Sequence, residues 1–132
     1  MKLLLDTHTL LWSIGKTNEL SEKVIQTIKN AKNEVLVSAV SLWEIALKCS
    51  VGKLVLGFEL KNIPEYCKKM GFKLIPLEPL DALNNFQLPI KKNHKDPFDR
   101  MLIYQCLVYN YILVSKDTKI NIYKEEGLKY LW

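Results

Sequence analysis

The stretch Met1-Lys2-Leu3-Leu4-Leu5-Asp6-Thr7-His8-Thr9-Leu10-Leu11-Trp12 opens with an apolar run that stops on a carboxylate. A short apolar run ending on an acid reads as a buried strand, and open parallel α/β sheets bind ligands beyond the C-terminal ends of their strands. Asp6 therefore stands where such a sheet places its chemistry. Residues 7–14 keep an apolar helical spacing, with Gly15 as the stop.

Outward from that start, strand and helix patterns alternate. Ser21 caps a predicted helix whose buried stripe is Val24, Ile25 and Ile28. The β-branched run 34–38 reads as a strand and 39–51 as a helix stopped by Gly52. A helix is expected over 61–70, ended by Gly71, and then a strand over 73–77 that Pro76 confines to a sheet edge. Residues 79–86 suggest a short helix and 88–95 a basic loop. The clearest helical pattern covers 97–110, followed at once by the strand 111–115. The segment after Asp117 reads as short and polar, and 128–132 as a last strand closing the sheet edge. Strands separated by helices give an α/β chain with a central, mainly parallel sheet, and residues 1–132 read as one domain.

With 48% hydrophobic residues the 132-residue chain can bury a substantial core. Its formal net charge of +5 suits a polyanionic partner such as a nucleic-acid backbone. Because Arg100 is the lone arginine, diffuse phosphate attraction is favoured over bidentate base reading in duplex DNA. Cys49, Cys67 and Cys106 lack any C-x-x-C spacing and read as buried free thiols. No apolar run approaches membrane-spanning length and the N-terminal leucines are too few for a signal-peptide core, so the expected location is the cytoplasm.

Three further acids stand out. Asp117 follows a strand, like Asp6, so in a parallel sheet the two lie at the same end. Glu44 falls on the helical stripe Val40, Leu47, Val51, where an unpaired carboxylate is costly. It also fits a capping box with Ser41 and an i,i+4 pair with Lys48. In His94-Lys95-Asp96-Pro97-Phe98-Asp99-Arg100, Asp96 has the N-cap position and Pro97 the first helical one. Asp99 shares a stripe with Leu102, Ile103 and Cys106 that aims it at the sheet. Converging carboxylates repel one another, and a divalent cation with oxygen ligands, Mg2+ or Mn2+, is the usual resolution. Such ions bind phosphate oxygens and activate water, and lysines 91, 92, 95, 116 and 119 flank the acids, which suits a phosphodiester.

These pieces resemble a known family, the PIN-domain ribonucleases, and specifically the VapC-type toxins of type II toxin-antitoxin systems. The resemblance runs end to end and rests on 4–12, Ser41-Leu42-Trp43-Glu44-Ile45, 94–100 and Leu113-Val114-Ser115-Lys116-Asp117. It implies a three-layer α/β/α PIN-like domain and a divalent-metal-dependent endoribonuclease. Asp6, Glu44, Asp99 and Asp117 would be its catalytic and metal-binding acids. Thr7 and Ser115 would support them with hydroxyls, Ser115 standing where many relatives have threonine. It also implies RNA as substrate, a VapB-like protein antitoxin as inhibitor, and a homodimer. Asp96 is expected to serve the helix start, and Arg100 to contact phosphate or balance Asp96 and Asp99. His8 and His94 read as packing or loop residues, and Trp12 and Trp43 as core.

Three other classes share parts of this pattern. A haloacid-dehalogenase-type phosphatase would carry a second Asp at position 8, where His8 stands. A magnesium-dependent receiver domain would form a stable acyl-phosphate with a small phosphoryl donor. A non-catalytic RNA-binding PIN relative has no need of all four acids.

Overall fold

The computed structural model describes residues 1–132. Strands β1 (Lys2–Leu5), β2 (Glu34–Ser38), β3 (Lys73–Ile75), β4 (Ile112–Val114) and β5 (Lys129–Leu131) form one sheet in the order β3-β2-β1-β4-β5. All four pairings are parallel, with Leu4 opposite Leu36 on one side and Leu113 on the other. Helices α1 (Thr7–Gly15), α2 (Glu22–Lys29), α3 (Ala39–Ser50), α4 (Ile63–Lys69), α5 (Pro79–Asn84) and α6 (Pro97–Tyr109) make the crossovers.

Alternation along β1 divides the core into two layers, since successive strand residues point to opposite faces. Leu4, Leu36 and Leu113 pack with Leu102, Ile103 and Cys106 of α6. Leu3, Leu5, Val35, Val37 and Val114 pack on the other face with Leu10, Val24, Ile45, Ile63 and Cys67. The architecture is the expected three-layer α/β/α sandwich. Both sheet faces are covered, which is why the strands read as continuous apolar runs. No helix is long and apolar enough to cross a membrane.

The helix starts follow local chemistry. Ser21 caps α2 by accepting from the Val24 amide at 3.1 Å, and Asp96 caps α6 by accepting from the Asp99 amide at 2.9 Å. Asn110, in the left-handed region at φ 58°, ends α6 and lets the chain turn directly into β4. Ser38 caps α3 through the Val40 amide, one turn earlier than a Ser41–Glu44 capping box would require.

Elsewhere the fold departs from what the sequence pattern predicts. Residues Thr118–Glu126 form a 3-10 helix, and Ile120 and Tyr123 on it are buried. Three residues per turn put i and i+3 on one face, a period that scans for 3.6 or 2 do not register. On α3 the stripe is not uniformly buried: Val40 and Glu44 are, whereas Leu47 and Val51 are exposed. Trp43 is 59% exposed, set edge-on against the Phe98 ring at 4.9 Å, and is not core. Over 61–70, a 3-10 turn Leu60–Asn62 precedes α4, whose second residue is Pro64.

Candidate functional site

Two strands that are neighbours in the sheet but far apart in sequence set up the site. The chain lays down β1, β2 and β3 in one direction and then returns to place β4 on the opposite side of β1. The crevice beyond the carboxyl ends of β1 and β4 is thus a topological switch point, where α/β sheets bind ligands. Asp6 leaves β1 there, its amide donating to the Val114 carbonyl at 3.1 Å and its carboxylate capping α1 through the Thr9 amide at 2.8 Å. The Thr9 hydroxyl donates to the same Val114 carbonyl at 3.1 Å, locking α1 to β4.

Asp6, Asp99, Ser115 and Asp117 line a cavity of about 10 Å³, floored by Leu102, Ile103, Leu113 and Ile120. That is room for about one water-sized sphere. Ser115 is buried, and its hydroxyl oxygen accepts from the Asp117 amide at 3.1 Å, fixing the turn that presents Asp117. Three of the four predicted acids therefore meet. Glu44 does not line this cavity, though its charge bears on Asp99: Oε1 accepts from the Thr7 hydroxyl and Oε2 from the Lys48 ammonium. Thr7 reaches Ser41 as well, at 3.2 Å, so α1 and α3 are pinned together at this point. The i,i+4 partnership of Glu44 with Lys48 is real, and the buried carboxylate survives because both its oxygens are engaged.

The electrostatics record the crowding of acids. Burial, followed by the charges of Asp96, Glu44, Asp6 and Asp117, pushes Asp99 up to about 7. Lys48 is raised, chiefly by its bond to Glu44. The repulsion among these carboxylates, which adds to the effect of burial on Asp99, is what a divalent cation would relieve.

His94 is a residue that sequence reasoning left in a loop. It is buried, with Nδ1 2.9 Å from the Tyr123 hydroxyl, and burial lowers its pKa against the pull of Asp117 and Asp96. His94, Asp99 and Asp117 each offer a donor atom, all within 4.8 Å of one another. The signal for it was present, since His94 lies two residues before the Asp96 cap, but nothing in the sequence shows that the loop folds inward.

Arg100 neither faces outward to meet phosphate nor pairs with its neighbouring acids. Its guanidinium donates to the carbonyls of Leu88 and Pro89 at 2.9 Å each and to the Tyr123 hydroxyl at 3.1 Å. It is an internal anchor for the loop. Lys91 is likewise taken up by Glu125 and Glu126, leaving Lys92, Lys95, Lys116 and Lys119 as the exposed cations of the predicted set. His8 is exposed and lies against Trp12, 5.7 Å between ring centroids.

Asp96, at the helix start, faces outward and its role is the cap. Asp96→Asn should keep the stability near that of the wild type, because asparagine caps as well, while Asp96→Ala should cost about 1 kcal/mol. Denaturant melts together with cation titrations of the two variants distinguish this from a ligand role, in which both would weaken cation binding alike.

A parallel α/β/α sandwich with carboxylates gathered at its switch point defines a class of acid-cluster α/β proteins. Within it, the chain belongs to the PIN-domain family, whose model matches residues 3–126. It is similar to Ribonuclease VapC22 of Mycobacterium tuberculosis, 25% identical over 134 residues and covering 98% of each chain. Among solved structures, VapBC2 from Rickettsia felis bound to a promoter DNA fragment superposes with a TM-score of 0.65 at 16% identity, over 99% of this chain and 98% of that one. DNA-bound VapBC from Salmonella typhimurium gives 0.64 at 15% identity, over 99% and 97%. At such identities these two comparisons speak for the fold.

Proposed function

We propose that the chain is a divalent-cation-dependent endoribonuclease, the toxin of a toxin-antitoxin pair, with Asp6, Glu44, Asp99 and Asp117 as its acidic set. The observation that carries this reading is the meeting of Asp6, Asp99 and Asp117 at one small cavity in a PIN-domain chain similar to a ribonuclease along its whole length. The donor set fits the ion: oxygen donors, a carboxyl that burial and neighbouring carboxylates push up to about 7, and a buried ring nitrogen without a partner. A bound Mg2+ or Mn2+ would offset the carboxylates' repulsion, polarise a phosphodiester and lower the pKa of a water.

The chain's own residues supply the rest. Asp6, Asp99 and Asp117 bind from three elements, while Thr7 and Lys48 hold Glu44 so that its charge bears on Asp99. Ser115 steadies Asp117. Lys92, Lys95, Lys116 and Lys119 draw in a phosphate backbone by diffuse attraction, a salt-dependent interaction. Trp43, exposed on α3 near the start of α6, offers a face on which an unstacked base can lie, which favours single-stranded or looped RNA.

A protein antitoxin of VapB type would hold such an enzyme inactive by placing an Arg or Lys among the carboxylates through charge-assisted hydrogen bonds. Lys48 on Glu44 is an internal example of that contact. The likeness of the fold to chains solved as VapBC complexes supports the partner. A homodimer would cover the exposed apolar side chains Leu80, Leu83, Phe86 and Ile90, which follow one another closely in the sequence.

The test uses purified chain and a single-stranded RNA. Cleavage in Mg2+ or Mn2+ should vanish in excess chelator and in Asp6→Asn, where asparagine preserves the α1 cap and the variant melts within about 0.5 kcal/mol of the wild type. Undiminished cleavage in chelator would overturn the reading.

A further inference from the structure

Resting on that cation-dependent reading, we propose that His94 is a nitrogen ligand of the same ion, making this a mixed nitrogen and oxygen site that favours a first-row transition ion over magnesium. Nε2 of His94 is buried and has no hydrogen-bond partner, a state in which polar atoms of a folded protein are rarely left. It faces Asp99, 3.8 Å from Oδ2. That gap is too long for a hydrogen bond, so the carboxylate does not satisfy the ring. Two donors each about 2.1 Å from one ion can stand up to about 4.2 Å apart, and 3.8 Å lies inside that span.

The far side of the ring is arranged as ligating histidines require. A ligating imidazole donates its other N–H to an oxygen that fixes tautomer and orientation. Here Nδ1 lies 2.9 Å from the Tyr123 hydroxyl, whose oxygen also accepts from Arg100. In the tautomer whose Nδ1 donates to Tyr123, the one a bound ion would select, the Nε2 lone pair is turned towards Asp99 and Asp117.

The backbone is gripped as well. The His94 amide donates to the Lys91 carbonyl at 3.1 Å, Lys91 is held by Glu125 and Glu126, and Arg100 holds the carbonyls of Leu88 and Pro89. Arg100 and Tyr123 thus become positioning residues for His94. Imidazole adds affinity for transition ions, whereas Mg2+ is a hard ion served by oxygens.

The test loads the full-length chain with Mn2+ alone and records pulsed electron paramagnetic resonance, with Mn2+ and Mg2+ affinities measured by calorimetry. The expected spectrum carries a 14N modulation that changes to the 15N pattern on 15N-histidine labelling, persists in His8→Gln and disappears in His94→Gln. His94→Gln should lose roughly tenfold or more in Mn2+ affinity and leave Mg2+ affinity near the wild-type value. Should His94→Gln fail to fold, the labelled wild type and His8→Gln still decide the point. Bound Mn2+ without a histidine modulation overturns the inference and leaves the proposed function standing. A chain that binds neither ion overturns both.

Discussion

Asp99→Asn should lose cleavage by at least about 100-fold, the scale on which a preorganised electrostatic group matters, and at the same time make the metal-free protein more stable. The second effect follows from the sign of the shift. Asp99 is raised to about 7 by burial and by four neighbouring carboxylates, so the folded chain holds this proton more tightly than the unfolded one. Folding is therefore favoured most below the ordinary carboxylate value near 4, and that contribution drains away as pH rises towards 7. Above 7 the wild type carries the full repulsion and the asparagine variant does not. With the side chain 38% exposed, solvent screening reduces the difference to about 1 kcal/mol at pH 8, shrinking towards zero as pH approaches 4. Thermal melts in chelator at the two pH values measure it. Saturating Mn2+ should reverse the order, because the wild type gains the cation and the variant lacks a ligand. A variant less stable than the wild type at pH 8 without metal would show that Asp99 is not electrostatically loaded.

Gln105→Ala should destabilise the fold more than the loss of any single helix cap. Gln105 is fully buried on α6, its Oε1 accepting from the Ser38 hydroxyl at 2.7 Å and its Nε2 donating to the Pro76 carbonyl at 3.1 Å. Ser38 is the α3 cap and Pro76 is the exit of β3, so one amide ties α6, which carries Asp99, to the element that carries Glu44. Alanine leaves a void and strips two polar groups of their partner, about 2–4 kcal/mol together. For a chain of this size that lowers the melting temperature by roughly 10 °C. Gln105→Leu, which fills the space without the bonds, should fall between. A melting temperature unchanged in Gln105→Ala would mean that the tether contributes nothing.

The sheet was legible because burial on both faces leaves an unmistakable trace: Leu3 to Leu5, 34–38 and 111–115 are each apolar runs closed by a polar residue. Asp6, Asp96 and Asp99 were legible through helix-start chemistry, which is local. What could not be read is what depends on distant segments folding together. Tyr123 looks like one aromatic in a polar stretch until a 3-10 period buries it, and Arg100 and His94 acquire their roles only from that burial. Trp43 failed for the opposite reason, since an apolar residue within an apolar helix can still fall on the side that nothing covers. Glu44 was placed on an inward face, while the Thr7 hydroxyl that meets it required the crossing of α1 and α3.

The sheet order carries a consequence for how the molecule comes into being. Asp6 precedes Val114 by more than a hundred residues, yet its amide and the Thr9 hydroxyl both wait for that residue's carbonyl, and the cavity has no far wall until Asp117 has been made. A nascent chain that has completed β1, β2 and β3 has more than half its sheet and no pocket. Because β1 must leave one edge vacant for a strand more than a hundred residues downstream, its final pairing is a late, long-range event, slow on entropic grounds. A chain that stops before β4 thus lacks the cavity altogether, and an interval separates translation of Asp6 from the docking of Asp117 in which this pocket does not yet exist.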